Sequence, residues 1–103
     1  MNVPQLMWAV GLFEGEGCIT HGKNHFTLKL AMTDKDIVDR FAELMGVGNV
    51  CEQKPQKEGW KTQYSWTICR KAEIIRILDM FLPHFGHRRA HKALDVLDYL
   101  ECT

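Results

Sequence analysis

The chain has no apolar run long enough to cross a bilayer and no signal-peptide pattern at its start, so the sequence points to an intracellular protein with no membrane partner. None of its four cysteines (Cys18, Cys51, Cys69, Cys102) belongs to a CxxC pair. That argues against a zinc site or a disulfide framework and for reduced thiols. It also has no charge excess: 13 basic and 13 acidic residues leave a formal net charge of zero, whereas nucleic-acid binders are often strongly basic. The charges are unevenly placed, however. Acids gather at Glu14 and Glu16, from Asp34 to Glu43 and from Asp95 to Glu101, while bases dominate Lys54 to Lys71 and His87 to Lys92. A locally basic face is compatible with that distribution. An apolar fraction of 46% and a charged fraction of 25% are ordinary for a globular protein, and 103 residues suit one domain spanning 1–103.

Periodicity gives the order of elements. An apolar helix carrying Pro4 in its first turn runs into Glu14-Gly15-Glu16-Gly17, where two glycines predict the switch to a strand. Cys18 to His21 reads as that strand, Gly22-Lys23-Asn24 as a turn, and His25 to Met32 as a second strand. In the second strand Phe26, Leu28, Leu30 and Met32 alternate with His25, Thr27, Lys29 and Ala31. Thr33 or Asp34 caps a helix using Ile37, Val38, Phe41, Leu44 and Met45, which Gly46-Val47-Gly48 ends. Asn49 to Gln53 is a third strand and Trp60 to Cys69 a fourth. Trp60, Tyr64 and Trp66 fall on the core side of the fourth strand and are expected to pack there instead of stacking on bases. A helix from Ala72 to Leu82 stops at Pro83, and a last helix from Arg88 to Leu100 uses Ala93, Leu94, Leu97 and Leu100. The order αββαββαα predicts an α+β domain: a four-stranded antiparallel sheet with helices on one face.

The stretch Ala9-Val10-Gly11-Leu12-Phe13-Glu14-Gly15-Glu16-Gly17 is unusual for a core helix. Gly11 and Gly15 lie four apart, so both fall on one face and allow another backbone to approach. Glu14 and Glu16 sit at the negative end of the helix dipole, where carboxylates are disfavoured without a cation nearby. A core helix with a glycine cap accounts for neither feature. His87 and His91, four apart, share a helix face, but no fourth ligand has convincing spacing for zinc.

These nine residues resemble the LAGLIDADG motif of homing endonucleases. Gly11, Leu12 and Gly17 match, Glu14 and Glu16 replace aspartates, Gly15 keeps a small residue, and Ala9, Val10 and Phe13 are apolar substitutions. The Thr33-Asp34 step, Gly46-Val47-Gly48, Tyr64-Ser65-Trp66, and Pro83 followed by Arg88-Arg89 extend the resemblance over essentially the whole chain.

The resemblance implies a nuclease that cuts both strands of double-stranded DNA with Mg2+ or Mn2+, free-standing or encoded in a mobile intron. Glu16 with the carbonyl of Gly15 would be the metal ligands, and Glu14 would have a structural or interface role. Arg88 stands where the family typically has a lysine near the scissile phosphate, and Asp34 where a polar residue meets active-site water. One motif per chain implies a homodimer joined through Trp8, Gly11, Leu12 and Gly15, with a roughly palindromic target. The wet face of the sheet (Thr20, His25, Thr27, Lys29, Asn49, Gln53, Lys61, Gln63, Ser65, Thr67) would read DNA, and Lys23, Lys54 and Lys57 would hold phosphates. Two other readings stay open: a non-cleaving DNA- or RNA-binding relative such as a maturase or regulator, and a small interaction module.

Overall fold

In the computed structural model the described residues are 1–21, 25–55 and 57–101. The expected turn Gly22-Lys23-Asn24, and with it Lys23, lies outside them. The chain runs α1 (Val3–Glu16), β1 (Gly17–His21), β2 (Phe26–Met32), α2 (Lys35–Met45), β3 (Asn49–Gln53), β4 (Gln63–Ile68), α3 (Lys71–Phe81), a 3-10 turn at Leu82–His84, and α4 (His87–Glu101). The four strands form one antiparallel sheet in the order β1-β2-β4-β3. This is the α+β arrangement expected from the periodicity.

Local chemistry explains where the elements begin and end. Asn2 caps α1 by accepting from the Gln5 amide while the Gln5 side chain accepts from the Asn2 amide, each at 2.9 Å. Gly46 closes α2 in the left-handed conformation. Gly48, also at positive φ, lies against the Trp66 indole, where a side chain would collide with the ring. The same indole donates to the Val47 carbonyl at 2.8 Å. Arg76 of α3 donates to the Met45 carbonyl at 2.9 Å, satisfying the C-terminal end of α2.

All four helices place apolar residues in one core against one side of the sheet. Ala9, Val10 and Phe13 come from α1, Val38, Phe41 and Met45 from α2, Ile74, Ile77, Leu78 and Phe81 from α3, and Ala93, Val96, Leu97 and Leu100 from α4. The sheet contributes Ile19, Phe26, Leu28, Leu30, Trp66 and Ile68. Phe13 and Phe81 contact each other and both Phe41 and Phe85 in one ring cluster, with Trp66 edge-on to Phe41.

Three details differ from the sequence expectation. The fourth strand begins at Gln63, not Trp60, and Trp60 is 58% exposed instead of packed in the core. Gly59 turns the chain just ahead of it at positive φ, so the alternation extrapolated back from Trp66 no longer applies. In α4 Val96 takes the core place expected of Leu94, which is half exposed, because Ala93, Val96, Leu97 and Leu100 keep the i, i+3, i+4, i+7 spacing of one helix face and Leu94 lies beside it.

Candidate nucleic-acid interface and metal half-site

The helix α1 has no charged residue before Glu14. Its inner face (Ala9, Val10, Phe13) is buried, while Val3, Met7, Gly11 and Gly15 form an exposed apolar line on the other side. A Cβ added at Gly11 or Gly15 would meet nothing. The two glycines therefore serve no packing within the chain. Trp8 and Leu12 flank this line half-buried, and the Arg40 guanidinium lies 4.4 Å from the Trp8 ring centroid. A helix apolar on both sides needs cover on both.

The two glutamates at its end have different surroundings. The Glu14 carboxylate accepts the backbone N–H of Gly86, and the Glu14 carbonyl accepts from Arg89 Nη2 at 3.0 Å. A side chain at Gly86 would crowd that carboxylate. Arg89 also lies 5.6 Å from the Phe13 ring centroid, placing a cation at the negative end of the α1 dipole. Glu14 thus ties α1 to the start of α4. Glu16 is exposed and, among the described residues, its side chain has no hydrogen-bond partner.

Arg88 is exposed beside Arg89. Of the basic pair, it is Arg89 that reaches α1. Nothing in the spacing of two adjacent arginines distinguishes them; only the placement of α4 does.

Strand register gathers the remaining polar groups at the same end of the sheet. Gly17 pairs with Leu30, Met32 with Tyr64, and Gln63 with Gln53. The end of α1 therefore shares one edge of the sheet with Thr33, Asp34 and the β3–β4 connection. Asp34 occupies the cap position of α2 without a side-chain capping bond, so its exposed carboxylate is not spent on the helix. Among the described residues no group of three or more His, Cys, Asp or Glu side chains converges to hold a metal, and His84, His87 and His91 form no such site.

What one chain offers at the α1 end is a carboxylate and helix-end carbonyls. Phe13 O accepts from the Gly17 amide and Glu14 O from Arg89, leaving Gly15 O next in line. An all-oxygen donor set of this kind fits a hard divalent cation such as Mg2+ or Mn2+, as half of a coordination shell.

The side of the sheet away from the helices is polar. Its cross-strand rows are Thr20–Thr27, Cys18–Lys29–Thr67–Asn49, Ala31–Ser65–Cys51 and Gln63–Gln53. Ser65 belongs to this face but is only 4% exposed between Ala31 and Cys51, so it is the least accessible of the expected contacts. A hollow of about 430 Å³ brings His25, Thr27, Asn49 and Thr67 together with Cys69 and Arg70. Arg70 was not evident from the sequence because it lies just past β4, outside the alternation. Lys54, Lys57 and Lys61 are exposed in the β3–β4 connection, whereas Asp36 and Glu43 are exposed on α2, which packs on the core side. Exposed acids (Glu52, Glu58) also lie beside these lysines, and exposed bases (Lys35, Arg40) on α2, so the lysines form a local basic cluster and not a face of one sign.

Residues 4–81 match the LAGLIDADG-like domain family, and the chain belongs to that family. Its fold is that of the LAGLIDADG homing endonucleases. An archaeal intron-encoded homing endonuclease, I-Vdi141I, complexed with DNA, superposes with a TM-score of 0.77 at 12% identity, covering 94% of this chain and 67% of that one. The homing endonuclease I-CvuI in complex with the I-CreI target in the presence of Mg gives 0.73 at 16% identity, covering 95% of this chain and 66% of that one. For I-GzeII with its DNA target the TM-score is 0.71 at 16% identity, with 98% of this chain but only 37% of that one covered. The chain thus spans about two thirds or less of these relatives. No curated protein matches its sequence. Among the described residues no helix is long and apolar enough to cross a membrane.

Proposed function

We propose that the protein is a divalent-metal-dependent DNA endonuclease that acts as a homodimer on both strands of a roughly palindromic site. The observation that carries this reading is the uncovered glycine line of α1 leading directly to Glu16. Two copies abutting at Gly11 and Gly15, flanked by Trp8 and Leu12, would bury the apolar line and bring two Glu16 carboxylates to one place. The incomplete oxygen set on one chain supports the same arrangement.

The division of labour follows from position. Glu16 and the Gly15 carbonyl would hold Mg2+ or Mn2+, an ion that would supply positive charge against the phosphate. Arg88, free at the start of α4, adds a permanent positive charge near the scissile phosphate; an arginine in that role cannot exchange a proton. Asp34 orients water at the same edge. Lys29, Thr27, Thr67, Asn49, Gln53 and Gln63 reach base edges, with Thr20, His25 and Lys61 beside them, and Lys54 and Lys57 bind phosphates.

The test is incubation with a library of randomised duplexes and Mg2+, comparing wild type with Glu16→Gln. Double-strand cuts by wild type, and retention without cutting by the variant, support the nuclease. Retention without cuts by both supports a non-cleaving DNA- or RNA-binding relative, a reading to which the zero net charge lends weight.

A further inference from the structure

We propose that Trp60 and its surroundings form a pocket for a single unstacked nucleotide beside the cleavage end of the sheet, an inference that rests on the nucleic-acid reading above. The cleft measures about 570 Å³ and is lined by Thr33, Gln53, Lys54, Pro55, Trp60, Lys61 and Gln63. That volume lies in the range of sites that take small ligands, roughly 300–1,000 Å³.

The Trp60 backbone is tied into a turn. Its amide donates to the Lys57 carbonyl at 3.2 Å across a turn that has Gly59 at positive φ. The Lys57 ammonium lies 5.2 Å from the ring centroid. A large aromatic 58% exposed on a fixed turn, ringed by three lysines, is not core packing. Five of the lining groups match parts of a nucleotide. The indole offers a stacking surface for any base, the Gln53 and Gln63 amides offer paired donors and acceptors for a base edge, and Lys54 and Lys61 offer charge for the phosphate.

A base still stacked in a duplex has both faces covered by its neighbours. The indole meets a base face only if that nucleotide has left the stack. Thr33 in the lining precedes Asp34, and Gln53 and Gln63 end the strands at the edge that Glu16 shares. The occupant is therefore a nucleotide near the cleavage end, not one at the far β1–β2 end.

The test uses a fluorescein-labelled oligodeoxyadenylate as single strand and a nonspecific blunt duplex as control, with intrinsic tryptophan emission read in parallel. The other two tryptophans report little: Trp66 is fully buried and Trp8 is half-buried under Arg40. Wild type should bind the single strand with quenched emission, and Trp60→Ala should weaken that binding by about tenfold or more. Trp60→Phe should keep part of it. Duplex affinity should change far less, and thermal melts should show the variants folded. Equal loss for single strand and duplex, or an unaltered single-strand affinity in Trp60→Ala, would overturn the pocket. Duplex binding without single-strand binding overturns the pocket alone, whereas binding of neither overturns the nucleic-acid reading with it.

Discussion

Arg89 and Glu14, 75 residues apart, meet through a 3.0 Å hydrogen bond from the guanidinium to the helix-end carbonyl. The Glu14 carboxylate is engaged at the same time by the amide of Gly86. The acidic end of α1 is thereby anchored to the first turn of α4, and Glu16 is left to face outward from a fixed base.

Removing that anchor should destabilise the fold before it alters chemistry. Arg89→Ala or Glu14→Ala is expected to cost about 1–3 kcal/mol, as for other charge-assisted hydrogen bonds with partly buried partners. Each kcal/mol corresponds to a fall of roughly 4–8 °C in Tm for a domain of this size. Thermal denaturation followed by circular dichroism measures it. An unchanged Tm in both variants would show the tie to be incidental.

Gly11 offers a test in which stability and assembly move in opposite directions. Nothing lies within reach of a Cβ there, so Gly11→Ala should raise intrinsic helix stability by about 0.5–1 kcal/mol in the free protomer. Gly11→Leu should separate two helices that touch at this point and abolish the dimer. Sedimentation equilibrium reads the association. A wild-type monomer at all concentrations would remove the basis for two joined half-sites.

Glu16→Gln retains shape and loses the charge that holds the cation. Cleavage should fall by at least about 100-fold, equivalent to about 2.7 kcal/mol or more of lost charge stabilisation, with DNA retention intact. Chelation with EDTA should have the same effect on wild type, reversed by added Mg2+ or Mn2+. Full cleavage by the variant would place the metal elsewhere.

Gly48 is bound by both conformation and space. At φ 104° and against the Trp66 indole, Gly48→Ala meets backbone strain and a collision together. The expected loss is about 1–3 kcal/mol, with a shift of Trp66 emission as its bond to Val47 is disturbed. Coincident fluorescence and circular dichroism melts would check it.

The Lys35–Asp39 pair on α2, 2.7 Å apart, raises the Lys35 pKa above 10.5, chiefly through the hydrogen bond to Asp39 and then its charge. A raised pKa means the contribution is full below 10.5 and is lost as pH climbs through the higher folded value. Both side chains are exposed, so the effect is small. Asp39→Asn should lower Tm only slightly at neutral pH, and thermal melts across pH should show that small difference from wild type vanish at strongly alkaline pH.

The element order was legible in the sequence wherever one side of a strand or helix is buried. In β2 the alternation of Phe26, Leu28 and Leu30 with Thr27 and Lys29 had a single solution, and the register bears it out. It was not legible where the chain leaves the sheet. Trp60 has the phase of Tyr64 and Trp66, yet Gly59 turns the backbone before the strand begins, and phase loses its meaning there. For the candidate site, the exposed line of Gly11 and Gly15 followed from helical spacing. The choice of Arg89 over Arg88 depended on how α4 meets α1, a long-range packing relation that spacing does not encode.

The outward rows of the sheet also carry thiols: Cys18 on β1 and Cys51 on β3 are both exposed there, with Cys69 just past β4. Each flanks a residue assigned to base reading, so the protein has built-in chemical reporters at both edges of its proposed footprint. Alkylation rates measured with and without bound duplex would trace which strands are shielded, without introducing a single foreign probe.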